Sequence, residues 1–187
     1  MVGPGAAERV RAMTHALVHR GPDDGGCYDD PSSSVSLGMQ RLSILDPEHG
    51  RQPMANRDQT VWIVYNGEIF NSPELRRQLE RGQHRFVTAN SDTETLLQLY
   101  DEKQEDMLAD LNGMFAFVLH DTRRNVLFGA RDRMGIKPLY YARTPAAFAF
   151  ASELKSLLTN PALARDLDRA SLFHYLTLRF VPGTSSM

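Results

Sequence analysis

The feature that most constrains this fold is a series of closely spaced β-forming segments in the second half of the chain. They cover residues 115–120, 126–130, 139–142 and 148–151 and are parted by polar or Gly/Pro turns. Two earlier runs, 35–45 and 60–65, also read as strands, after a polar loop through Ser34 and with the Pro/Gly/Asn-containing stretch 46–56 between them. Helical spacing enters elsewhere. Val10, Met13 and Leu17 form one apolar stripe in a helix over 6–19, which ends near Arg20-Gly21-Pro22. Asn71-Ser72-Pro73-Glu74 offers a cap, a first-turn proline and an acid at the positive helix end, followed by Leu75 and Leu79 on one face. Ser91-Asp92-Thr93-Glu94 has the capping-box pattern and leads into Leu96, Leu97 and Tyr100. A last helix over 168–179, capped by Asp168, aligns Leu172, Tyr175 and Leu176. This order lacks regular βαβ alternation, so it predicts an α+β fold with antiparallel sheets.

Composition narrows the function. With 187 residues, 42% of them apolar, the chain suits one ordinary domain with a substantial core. A net charge of -2 gives no basic field for phosphate backbones, so nucleic acid is not an expected partner. No run approaches the roughly 18 apolar residues of a spanning helix, and the first residues lack signal-peptide character. A soluble, cytoplasmic protein without membrane contact is therefore expected. The single cysteine, Cys27, excludes an internal disulfide, and the six histidines show no zinc spacing, so no metal is expected.

Three positions carry candidate chemistry, and each reads two ways. In Tyr65-Asn66-Gly67-Glu68, the Asn-Gly pair serves either as a turn using positive φ or as two donors aimed at one oxygen, an Asn amide and a Gly N–H that no side chain blocks. Arg41, within Arg41-Leu42-Ser43-Ile44, is either a solvated sheet arginine or a bidentate carboxylate clamp. Asp92 is either a first-turn acid or a partner for a substrate ammonium. Together the functional readings describe the ends of a free amino acid amide.

Five segments, His19-Arg20-Gly21-Pro22-Asp23-Asp24, Arg41-Leu42-Ser43-Ile44, Tyr65 to Asn71, Ser91-Asp92-Thr93-Glu94 and Gly113-Met114-Phe115-Ala116-Phe117, occur in the order seen in class II glutamine amidotransferase domains. The run Arg131 to Tyr141, followed by Ala151-Ser152-Glu153-Leu154-Lys155, makes the chain resemble the domain found in glutamine-hydrolysing asparagine synthetases. The resemblance implies an N-terminal-nucleophile hydrolase fold, a four-layer αββα sandwich of two antiparallel sheets. It further implies that Arg41, with Leu42 and Ile44 in its segment, binds the glutamine carboxylate. Asp92 would take its α-ammonium with help from Glu68, and Asn66 and Gly67 would form the oxyanion hole. Residues 1–160 would be the amidotransferase domain, and 161–187 would open the helix leading to an absent synthetase domain that uses ATP and Mg; no cofactor is expected within the chain itself. Expected partners are glutamine, that C-terminal domain and, as a possible assembly, a homodimer.

In the family the nucleophile is an N-terminal cysteine whose own α-amine, with a pKa of roughly 7.7–8, is the base. This chain begins Met1-Val2-Gly3, so the first strand is expected to be missing and the fragment inactive alone. Cys27, in the internal segment Gly25-Gly26-Cys27-Tyr28, reads as an ordinary thiol. The alternatives are a non-catalytic amino-acid-binding or interaction module and an amidotransferase serving another acceptor.

Overall fold

The computed structural model describes residues 1–22, 24–41 and 51–183. Its longest strands, β4 (Val61–Ile69) and β5 (Gly113–Asp121), pair antiparallel through nine residues, and alternation along them assigns two faces. Val61, Ile63, Tyr65 and Ile69, with Phe115, Phe117 and Leu119, pack toward α2 (Ser72–Arg81) and α3 (Asp92–Lys103), meeting Leu75, Leu79, Leu96, Leu97 and Tyr100. Val64 and Val118 face the other way, against Val35 and Leu37. Each such side chain, fully buried, stabilises the fold by about 1.5–3 kcal/mol.

Val35 and Leu37 belong to a second sheet. There β1 (Asp24–Asp30) pairs with β2 (Val35–Arg41), and β7 (Tyr140–Thr144) with β8 (Ala147–Ala151). Val2 joins the two hairpins by bridging Val35 and Phe148, donating to Phe148 O at 2.8 Å and accepting from Phe148 N at 3.0 Å. Residues 1–3 thus lie between the two hairpins as an isolated bridge rather than a strand. On the outer face, Ala6, Val10 and Met13 of α1 (Ala6–His15) pack with Ala149 and Ala151 of β8 and with Leu157 of α4 (Leu154–Leu157). The first sheet described, completed by β3 (Met54–Ala55) and β6 (Val126–Arg131), has the order β3-β4-β5-β6 with every pair antiparallel. The layers thus run helix, sheet, sheet, helix, as the resemblance implied.

Several local expectations differ from the structure. Residues 24–30, read as loop, form β1, because a seven-pair ladder with β2 outweighs the poor β-propensity of Asp-Gly-Gly. The first helix stops at His15 and continues as a 3₁₀ turn over Val18–Arg20. Helix α4 and the 3₁₀ segment Gln104–Ala109 were not signalled. Asn71 does not cap α2 with its side chain; its amide instead donates to Asp110 O at 2.8 Å and accepts from Asn112 N at 3.0 Å. Ser91 does cap α3, accepting from Glu94 N, but the Glu94 carboxylate turns to the N–H groups of Val87 and Thr88. Helix α5 (Arg169–Leu178) forms as expected with Asp168 capping it, yet Phe173, Tyr175 and Leu176 stay exposed rather than packed. Among the described residues no helix is long and apolar enough to cross a membrane.

Candidate functional site

The Asn-Gly pair is not a turn. Asn66 and Gly67 lie inside β4, opposite Ala116 and Phe115, and neither has a positive φ. Gly67 is required by close approach, since a Cβ there would sit 2.2 Å from Met114 O and 2.7 Å from Phe115 Cα. Phe115 turns its own N–H and C=O toward the β6 side, donating to Asp132 Oδ2 and accepting from Asp132 N. The Gly67–Phe115 pair is thus the narrow, non-hydrogen-bonded kind.

The other edge of β4 is the productive one. Tyr65 N donates to Gln52 Oε1 at 2.6 Å, and Ile69 N donates to Asp92 Oδ2 at 3.2 Å, both away from β5. Period two turns the Gly67 N–H to this same edge, between Gln52 and Asp92. Strand β3 ends opposite Ile63, so among the described residues no strand pairs with the edge beyond it. Gln52 stands in for one: its amide also donates to Tyr65 O at 3.1 Å, extending the ladder by one side-chain rung.

These groups open on a cavity of about 1150 Å³, lined by Arg41, Asn66, Gly67, Glu68 and Asp92 together with Met1, Gln52, Tyr65, Arg76 and Lys137. Five sequence-selected residues, spread over β2, β4 and the first turn of α3, therefore share one cavity. Leu42 and Ile44, the other two, lie outside the described residues, as does Asp23. Arg41 is backed by the turn before β1. Pro22 bridges it in parallel, and a Cβ at Gly21 would lie 2.3 Å from Arg41 N. Asp92 Oδ2 also accepts from the Tyr65 hydroxyl at 2.6 Å. Arg76 is held elsewhere, donating to Thr88 O at 2.7 Å and stacking over the Phe86 ring at 4.1 Å.

Gln52 and Lys137 are not among the site residues that the sequence singles out. Gln52 gives no local signal, because its role depends on where β3 stops. Lys137 stands within the Arg131 to Tyr141 run, which carries the family resemblance but no candidate site role. Cys27 is exposed on β1, opposite Gly38, and is not part of the cavity lining. Burial, then the nearby Asp29 charge, pushes its thiol pKa up, which disfavours the thiolate.

An arginine, an acid and the Asn66-Gly67 donors thus line one cavity. Residues 2–187 match the model of the glutamine amidotransferase domain, and the chain belongs to that family. It is 43% identical over 180 residues to asparagine synthetase [glutamine-hydrolyzing] 1 of Bacillus subtilis strain 168, covering 96% of this chain and 28% of the relative. It is 44% identical over 152 residues to asparagine synthetase [glutamine-hydrolyzing] 2 of Arabidopsis thaliana, covering 80% of this chain and 25% of that protein. The chain thus spans under a third of the length of these relatives. The solved structure of glutamine phosphoribosylpyrophosphate amidotransferase from B. subtilis, complexed with ADP and GMP, aligns with a TM-score of 0.69 at 21% identity, over 83% of this chain and 41% of that one. That match shows the N-terminal-nucleophile hydrolase fold.

Proposed function

We propose that this chain is the glutamine-binding domain of an asparagine synthetase-type enzyme. In such an enzyme glutamine is hydrolysed to glutamate and ammonia, and the ammonia passes to aspartate activated by ATP and Mg in a C-terminal synthetase domain. Residues 1–160 would form the amidotransferase unit and 161–187 the approach to that domain, in a cytoplasmic protein. The observation that carries the reading is the Gly67 N–H on the edge of β4 that faces away from β5, between the Tyr65 N–H on Gln52 and the Ile69 N–H on Asp92. A glutamine with its carboxylate on Arg41 and its ammonium on Asp92, assisted by Glu68, would extend its side-chain carbonyl toward Asn66 Nδ2 and Gly67 N–H. Leu42 and Ile44 would complete the carboxylate end. In a tetrahedral intermediate the same two donors face the oxyanion, where each is worth about 2.7–4 kcal/mol of barrier lowering.

Turnover also needs a nucleophile. Among cysteines the chain has only Cys27, outside the cavity. A polypeptide of residues 1–187 is therefore expected to bind glutamine without hydrolysing it, which is also the form a non-catalytic amino-acid-binding module would take. Titration calorimetry tests the pocket: saturable glutamine binding is expected, and Arg41→Ala should abolish it. Binding that survives Arg41→Ala unchanged overturns the assignment. A Met1→Cys variant released by tag cleavage, so that cysteine carries a free amine, is expected to liberate ammonia from glutamine; an inert variant favours the module.

A further inference from the structure

Asp92 presents its two oxygens to different surroundings. Oδ2 is saturated by the Tyr65 hydroxyl at 2.6 Å and the Ile69 N–H at 3.2 Å, whereas Oδ1 makes no hydrogen bond among the described residues. A carboxylate at a helix start turns easily about its last torsion, which is broad and two-fold. What fixes it here is a phenol on the neighbouring strand. Tyr65 is 4% exposed, and its backbone is gripped at both N and O by the Gln52 amide. Its ring is packed in the core between β4, β5 and the two helices. Burial, then the Asp92 charge, raises the phenol pKa far above its ordinary value, so the hydroxyl keeps its proton and acts as a donor.

We infer that Tyr65 is a positioning residue for the α-ammonium subsite: its hydroxyl locks one Asp92 oxygen so that the other faces the ligand's ammonium, and Gln52 holds Tyr65 in place. This rests on the glutamine reading above and deepens it, because it assigns recognition of the amino group to a Tyr65–Asp92 pair rather than to the acid alone. A ligand with an α-ammonium would exploit the pair, and one without it would not.

The test compares Tyr65→Phe with the parent chain on two ligands, by NMR shift titration, which reads millimolar affinities. One is glutamine. The other is glutaramate, which keeps the carboxylate and the amide but lacks the α-ammonium. Removing one charge-assisted hydrogen bond should weaken glutamine binding roughly tenfold, while glutaramate affinity stays within about twofold. Equal losses for both ligands would mean that the phenol merely supports the pocket, and they overturn the inference. Glutamine binding that is unchanged or tighter in Tyr65→Phe overturns it as well, while leaving the glutamine reading intact. A parent chain that binds no glutamine defeats that reading and this inference together. Retained glutaramate binding also serves as the control that the variant is folded.

Discussion

Two aspartates beside the same sheet show how structure and site divide the work. Asp132, just past β6, spends its carboxylate on the backbone: Ile136 N donates to Oδ1 at 2.8 Å, and Lys137 N and Phe115 N donate to Oδ2 at 3.0 and 3.2 Å. Burial pushes its pKa up, but these N–H donors outweigh it and hold the group below the usual carboxylate range. Asp92, which lines the cavity, spends one oxygen on the protein, and its other oxygen makes no hydrogen bond among the described residues. A saturated carboxylate braces a loop, whereas a half-saturated one on a cavity wall is equipped to take a ligand.

The contrast can be broken by experiment. Asp132→Ala orphans three backbone donors at once and should cost about 3–5 kcal/mol in urea unfolding; a loss under about 1 kcal/mol would show that the loop finds other partners. Asp92→Asn keeps an acceptor for Tyr65 and Ile69, so it should cost under about 1 kcal/mol of stability. It should nevertheless weaken glutamine binding about a hundredfold, or roughly 2.7 kcal/mol. If stability falls and binding holds, the two aspartates have been assigned the wrong way round. Gly67→Ala meets the β5 backbone rather than a movable side chain. It should cost roughly 1–3 kcal/mol and lower the thermal midpoint, with glutamine binding lost because the N–H is displaced; an unshifted midpoint would refute the close-approach argument.

His120 sharpens the contrast from another side. It is 1% exposed, its Nδ1 lacks a hydrogen bond among the described residues, and it lies outside the cavity. An unsatisfied polar atom is therefore not sufficient to mark a ligand site. Burial lowers its pKa against the opposing pull of Asp30 and Asp121. The unfolded chain thus takes up this proton more readily than the folded one. Stability from His120 is complete above the unfolded pKa of about 6.5 and erodes as pH falls toward the folded value. Thermal midpoints between pH 7 and 5.5 should fall less steeply in His120→Gln than in the parent. Parallel slopes would remove His120 from the account.

Elements with strong local signals were legible in advance. The Ser91 cap and Leu96, Leu97 and Tyr100 place α3, and the dense apolar run 115–119 places β5. The order of short segments placed Arg41, Asn66, Gly67, Glu68 and Asp92 in one family pattern before any geometry was known. What failed was contextual. Asn-Gly suggested a turn because both residues tolerate positive φ, yet pairing with β5 holds them extended. Asp-Gly-Gly suggested a loop, yet β2 recruits it as an edge strand. Asn71 suggested a cap, yet Asp110 and Asn112 claim its amide.

The sequence by itself determined the periodic faces, the helix starts at Ser91 and Asp168, and the chemical types available to the pocket. All of these depend on residues near one another along the chain. Only the tertiary structure decided that Gly67 serves by closeness to β5 rather than by a turn. It alone placed Gln52 beside the β4 edge, and it alone showed that one Asp92 oxygen is committed to Tyr65 and Ile69 while the other makes no hydrogen bond among the described residues. Those facts depend on which segments meet, and that is set by the packing of two sheets brought together from distant parts of the chain.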